Sequence, residues 1–220
     1  MMKMQLNKGF TLVEIAIVLV IVGLLIGGVL KGQEMITNAK LKRIESDNAG
    51  IAAAMFSYQD RYLQLPGDDS DAAGRFDVYS GKTAADINGD GGGTVSGAWD
   101  ANNGTTIGSS SVESETFWGH LRAAGLVAGG GMDTTRQSNA YGGKIGVQDG
   151  SLGIAGHVTI FGQIEGPIAK IIEGRLDDGQ ADAGRIEGNE AGGSNGMASG
   201  ATSDGATYSD AKRYDLAFRL

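Results

Sequence analysis

The side chains in this sequence that could do chemistry are almost all carboxylates. Cysteine is absent and the histidines are His120 and His157 alone. No Gly-x-Ser-x-Gly, His-Glu-x-x-His or phosphate-loop lysine pattern occurs, so triad and zinc chemistry lack their parts. Among the acids, Asp86-Ile87-Asn88-Gly89-Asp90-Gly91 sets oxygens at alternate positions ahead of a turn glycine, the way calcium loops present ligands to one point. The acid that an EF-hand places last is Gly97 here, so this is not an EF-hand, and Asp100, Glu113 or Glu115 would have to stand in. The same residues are also turn formers, and both readings of Asp86, Asn88 and Asp90, calcium ligands or a plain turn, stay open. Asp177-Asp178 could form an acid–base pair, but adjacent acids at a helix end more often meet solvent, a turn or an ion. The remaining acid of interest, Glu14, stands alone in an apolar run.

That run must position Glu14. Phe10 to Leu30 is 21 residues with one charge, and as a helix at ~1.5 Å per residue it covers about 30 Å, the hydrocarbon core of a bilayer. It ends in Gly27, Gly28, Val29, Leu30 and Lys31, without the small-residue cleavage site of a secretory signal, so the segment is expected to stay as a membrane span. A carboxylate inside such a span costs roughly 2.5 to 3.5 kcal/mol at the helix centre unless it is paired. Glu14 could pair with an amine of its own chain, with that of a neighbouring subunit, or with headgroups.

The front edge of the span carries a resemblance. A short leader with Lys3 and Lys8 ends in Gly9, followed directly by Phe10, Thr11, Leu12, Val13 and Glu14. This resembles the class III leader of type IV pilins and type II secretion pseudopilins. The resemblance implies cleavage between Gly9 and Phe10 by a prepilin peptidase, N-methylation of Phe10, and assembly contacts made by Phe10 and Glu14, the acid neutralising the terminal amine of an adjacent protomer. The partners it implies are identical or related pilin subunits, the peptidase and an inner-membrane assembly platform. Leu65-Pro66-Gly67-Asp68, Phe117-Trp118-Gly119-His120-Leu121-Arg122-Ala123-Ala124-Gly125-Leu126 and Leu176-Asp177-Asp178-Gly179 further look like segments of bacterial pilin-like proteins.

Composition sets limits on the rest. Net charge is −8 and becomes −10 once Lys3 and Lys8 leave with the leader; nucleic acid is not an expected partner, since its binders need a basic stripe. Without cysteine, an exported domain depends on packing, ions or neighbours, and the C-terminal disulfide loop of many type IV pilins cannot form. Glycine reaches 38 of 220 residues, well above the usual ~7%, which predicts abundant irregular backbone.

The expected organisation is a leader at 1–9, an N-terminal helix at 10–63 and a globular domain at 64–220. Within the helix, 10–30 spans the membrane and polymerises, while 31–63 is amphipathic, with Ile44, Ile51, Met55, Tyr58 and Tyr62 on one face. The helix lacks the proline many bacterial pilins carry there, and Gly27, Gly28 and Gly32 mark where it could melt locally. A long loop at 66–113 follows. The pattern then predicts a helix over 114–127 capped by Ser114, with Phe117, Trp118, Leu121, Ala124 and Leu126 inward and His120 capping or packing beside Trp118. Strands at 144–148 and 157–161 are expected about a turn at Asp149-Gly150. A helix starting at Pro167 should turn Ile168, Ile171, Ile172 and Leu176 inward. The segment 188–205 is expected to be flexible and 214–220 to be a closing strand.

The fold class expected is α+β, a long N-terminal helix packed on a small antiparallel sheet with Gly-rich loops, as in pilins. The function expected is a structural filament subunit of the inner membrane, then of a periplasmic or extracellular filament, with no catalysis and no required cofactor, calcium being the candidate ligand. The alternatives are a membrane-tethered calcium-binding or adhesive module and an anchored enzyme, neither of which needs the Gly9 cut or Glu14.

Overall fold

The structure, a computed structural model, describes residues 11–101, 106–107, 112–191, 205 and 207–220. It divides into two compact units, Met1–Lys40 and Leu41–Leu220. Helix α1, Leu12–Tyr62, contributes to both.

In the first unit α1 is apolar all round, and every Leu, Ile and Val from Leu12 to Leu30 is exposed, the least of them, Val22, by 44%. The helix continues through Gly27, Gly28 and Gly32, where an added Cβ would meet open space. From Leu41 onward it becomes one-sided. Leu41, Ile44, Ile51, Ala54, Met55 and Tyr58 are buried, the helical spacing that the sequence pattern predicts, and Tyr62 packs against the same core. The helix stops at Leu63, whose φ of 57° is left-handed and whose N–H still reaches the Gln59 carbonyl at 2.8 Å; Pro66 lies shortly beyond.

Residues 66–101 form more than a loop. They contain α2 at Ala72–Arg75, a 3-10 turn at Asp77–Tyr79 and α3 at Ala84–Ile87, which bury Ala72, Tyr79 and Ile87 in a small core shared with Ile107. Single turns of helix are too short to show a period, which is why the sequence shows only loop composition there. Helix α4, Glu113–Ala123, is buried from Glu113 through Arg122. Its N-cap is Val112, and Ser114, the expected cap, donates its hydroxyl to the Ala98 carbonyl at 2.8 Å instead.

Four strands, β1 at Ile145–Ser151, β2 at Ile154–Glu165, β3 at Ile186–Glu190 and β4 at Arg213–Arg219, make an antiparallel sheet in the order β1-β2-β4-β3. The β1–β2 turn is Leu152-Gly153, whose φ angles of 54° and 102° are both positive, as a two-residue primed turn requires. Asp149-Gly150, expected to be the turn, lies within β1, where the register slips between Asp149 and Ser151; Gly150 there has φ 62°, so the Asp-Gly pair marks a bulge. The tail is an interior strand, and β3 occupies the start of the segment expected to be flexible; the remainder of that segment, 192–204, lies outside the described residues. One sheet face, with Ile145, Val147, Phe161, Leu216 and Phe218, shares a core with the Leu41–Tyr62 part of α1, α4 and α5; Trp99 covers part of the other, against Val158, Ile160 and Ala217.

Helix α5, Gly166–Leu176, begins with Pro167 in its first turn and buries Ile168, Ala169, Ile172 and Glu173. Ile171 and Leu176, expected inward, are 38% and 42% exposed. An α+β chain in which a long N-terminal helix packs on a small antiparallel sheet is the expected architecture, and it is the pilin arrangement.

A left-handed, non-glycine residue strains the backbone by about 1–2 kcal/mol, and Leu63 is 85% exposed, so its side chain offers little in return. Leu63→Gly is expected to raise stability by up to ~1 kcal/mol, after the entropy that glycine adds to the unfolded chain, as read from the midpoint of a urea titration.

Candidate functional site

Two places gather functional side chains, the front of α1 and the acidic segment after it. At the front, Thr11 precedes the first helical residue and Glu14 sits in the first turn. The Glu14 carboxylate oxygen Oε2 accepts the Thr11 N–H and the Thr11 hydroxyl, both at 2.8 Å, while the Glu14 N–H donates to Thr11 Oγ1 at 3.2 Å. This is a reciprocal capping box, which satisfies helix N–H groups that lipid could not. Weighing only amines and headgroups as partners of Glu14 misses this cap, although Thr-x-x-Glu ahead of an apolar run is the signal that finds it. Gly9 and Phe10, the expected processing pair, lie outside the described residues.

The acidic segment is tied to α1 and α4 by buried polar groups. Asp69 accepts the Tyr58 hydroxyl at 2.7 Å and Arg75 Nε at 3.0 Å on Oδ2, and the Asp71 N–H and Arg75 Nη2 on Oδ1. Burial alone would raise the Asp69 carboxyl, but the Arg75, Tyr58 and Asp71 hydrogen bonds outweigh it and hold the group below the usual range. Burial, with the Asp69 carboxylate beside it, pushes the Tyr58 hydroxyl up.

His120, fully buried on α4, is the second tie. Its Nδ1 accepts the Gly67 N–H at 2.9 Å, and its Nε2 donates to the Ile87 carbonyl at 2.9 Å. These partners assign the neutral Nε2–H tautomer. The ring lies between Tyr58 and Tyr79, at centroid distances of 6.3 and 6.1 Å. His120 therefore braces both ends of the Gly67–Ile87 segment, a role that neither capping nor packing beside Trp118 describes.

Of the three residues expected to hold calcium, the structure brings Asp90 together with Asp68 and Glu113, their carboxylate oxygens all within 4.8 Å of one another. Asn88 instead accepts the Ala73 N–H at 2.8 Å and donates to the Ser70 carbonyl at 2.6 Å, pinning two turns of backbone. Asp86 lies in α3 and is not in the group. Gly89 permits the arrangement, since a Cβ there would stand 2.3 Å from the Cα of Asp68. Backbone N–H groups surround the acids: Gly92 and Gly93 donate to Asp68, Asp90 and Ser96 to Glu113, and Gly92 also to Asp90. Even so, burial, then the Glu113 charge, raises the Asp68 carboxyl above its ordinary value. Such an oxygen-only group could hold a divalent cation. Glu113 is one of the three acids that the sequence offers as stand-ins for the last ligand, and Asp100 and Glu115 are not in the group; Asp68 reaches it from a segment far apart in sequence, and no local signal links it to Asp90.

Residues 4–30 match the family model of the prokaryotic N-terminal methylation motif. No curated protein and no solved structure matches the chain. The prepilin-type leader motif, the apolar helix behind it, long enough to cross a membrane, and the fold point to a structural, non-catalytic pilin-like protein.

Burial lowers the His120 pKa to about 4. Because the folded pKa lies below the unfolded one of ~6.5, the stability His120 confers is fully present above about pH 6.5 and is lost as pH falls toward 4, on the order of 3 kcal/mol. Comparing wild type with His120→Gln cancels the other titrating groups. The difference in their unfolding free energies should shrink by about that amount between pH 6.5 and 4.

Proposed function

We propose that this protein is a structural subunit of a type IV pilus or related pseudopilus, cut by prepilin peptidase between Gly9 and Phe10, N-methylated at Phe10, and polymerised through residues 10–30. The observation that carries this is the exposed apolar surface of α1 from Leu12 to Leu30, with a carboxylate at its leading edge. A contiguous apolar surface of that extent needs a covering, since monomeric soluble proteins rarely expose patches above a few hundred Å². Lipid supplies it in the inner-membrane precursor, and the same segment of neighbouring subunits supplies it in the periplasmic or extracellular filament. The match over residues 4–30 supports the processing step. The partners are then identical or related subunits, the peptidase and the membrane assembly platform.

In this reading Glu14 has two tasks. In the precursor it closes the capping box with Thr11; in the filament its carboxylate takes up the Phe10 amine of an adjacent protomer, which removes two unpaired charges from lipid at once. A second reading, favoured by the Asp68, Asp90 and Glu113 group, is a membrane-tethered exported module, adhesive or cation-binding, whose acidic segment takes up calcium. The donor set of that ion is then Asp90 with Asp68 and Glu113, and Asn88 serves as a backbone bracket.

Glu14→Ala and Glu14→Gln separate the two tasks. The amide of Gln still accepts from Thr11 but carries no charge. Both variants are expected to remain in the membrane fraction, and both should lose filament yield at least tenfold, measured on sheared surface material. Wild-type yield from Glu14→Gln would reduce Glu14 to a helix cap, and wild-type yield from both would remove it from assembly.

A further inference from the structure

A second acidic group lies at the C-terminal end of α5. Glu173, in the last turn, is fully buried. Asp177 caps the helix, its N–H donating to the Glu173 carbonyl at 2.8 Å, and Asp178 follows. A carboxylate oxygen from each lies within 4.8 Å of the other two. This is the wrong end of a helix for three acids, because the macrodipole there is negative and favours cations.

We propose that Glu173, Asp177 and Asp178 form a calcium site that fastens the end of α5 to the start of β3. Beyond the cluster itself, one atom points to a ligand. Glu173 Oε1 accepts the Tyr208 hydroxyl at 2.6 Å, but Oε2 is buried and has no hydrogen-bond partner. A buried carboxyl oxygen without a partner is costly, and no described residue satisfies this one; a bound cation would. The rest of the group is held ready by backbone. Asp177 Oδ2 accepts the N–H groups of Arg185 and Ile186, at 2.5 and 2.7 Å, and Asp178 Oδ1 accepts the Gln180 N–H at 2.8 Å. Each aspartate is thereby oriented through one of its two oxygens. The contrast with the Asp68 group is direct: there both oxygens of Asp68 and both of Glu113 already accept backbone N–H groups.

The surrounding field has the same sign. Glu187 on β3 is buried with its own Oε2 unpartnered, and burial, then the charges of Asp182, Asp177 and Asp178, raises its carboxyl. Burial, joined by Asp177, Asp178 and Glu187 against the Tyr208 hydrogen bond, raises Glu173 to about 8. A cation relieves all of these together. The donors are hard oxygens without nitrogen or sulfur, which selects the calcium and magnesium class over transition metals. Two oxygens on one calcium ion at ~2.4 Å stand at most about 4.8 Å apart, whereas magnesium at ~2.1 Å draws them closer and demands near-octahedral order. A group spread over a helix cap and the residue after it suits the larger ion.

The test is calcium titration by calorimetry of the full-length protein in detergent, stripped with chelator, in wild type, Glu173→Gln, Asp178→Asn and Asp60→Asn. Glu173→Gln keeps an acceptor for Tyr208 and Asp178→Asn one for Gln180, so both variants should fold; circular dichroism verifies this. We expect wild type and Asp60→Asn, an exposed acid of α1 outside both acidic groups, to bind calcium alike, and Glu173→Gln and Asp178→Asn each to weaken binding at least tenfold. Calcium binding unchanged in both of those variants, or none in wild type, overturns the proposal. Magnesium bound as tightly as calcium overturns the choice of ion.

Discussion

The constraint on which this protein depends is that its first helical segment has, among the described residues of its own unit, nothing to cover it. In a water-soluble helix the apolar residues form a stripe and the opposite side is polar. Here Leu12 through Leu30 expose apolar side chains in every direction, and the polar groups that must enter the same environment are closed among themselves by the Thr11–Glu14 box. That box completes the N-terminus with side-chain acceptors while keeping a charge available at the edge. The glycines at 23, 27, 28 and 32 leave open space at their Cα atoms, which lets other helices approach closely.

The second unit, Leu41–Leu220, solves a different problem, how to build a domain without a disulfide and with glycine-rich connections. Its answer is to anchor irregular backbone with buried polar side chains. His120 joins Gly67 to Ile87, Asp69 joins Tyr58 of α1 to Arg75, and Asn139 accepts from Tyr141 and Gly143 while donating to the Gly162 carbonyl. Each is a neutral or compensated group in a place where an unpaired one would be costly. The two acidic groups fit this scheme unequally: one is enclosed by amides, and the other retains a buried oxygen that no described residue serves.

How much of this the sequence makes legible follows from the range over which each signal acts. The span, the leader motif and the Ile44-to-Tyr58 stripe are local and periodic, and the structure agrees with the span and the stripe. The strands expected at 144–148, 157–161 and 214–220 are marked by β-branched and apolar alternation and fall on β1, β2 and β4, yet the first joining turn is displaced to Leu152-Gly153, because a bulge at Gly150 uses the same Asp-Gly chemistry as a turn. Ile186–Glu190, Ile-Glu-Gly-Asn-Glu, has no strand composition; it is a strand because β4 offers it an edge. The inward Glu173 in place of Ile171 could not be read from hydrophobicity at all, since it depends on the Tyr208 hydroxyl. Asp90 and Glu113 are both candidates on sequence, but the arrival of Asp68 beside them could not be read either, since three separate segments bring the group about.

The central claim is that the uncovered helix becomes the shaft of a filament after the leader is removed, and the mass of the assembled subunit tests it most directly. Filaments sheared from cells, dissociated and weighed intact should yield a chain that begins at Phe10 and carries one added methyl group. Assembled material retaining Met1, or a chain cut beyond Leu30 so that the apolar segment is missing, would contradict it.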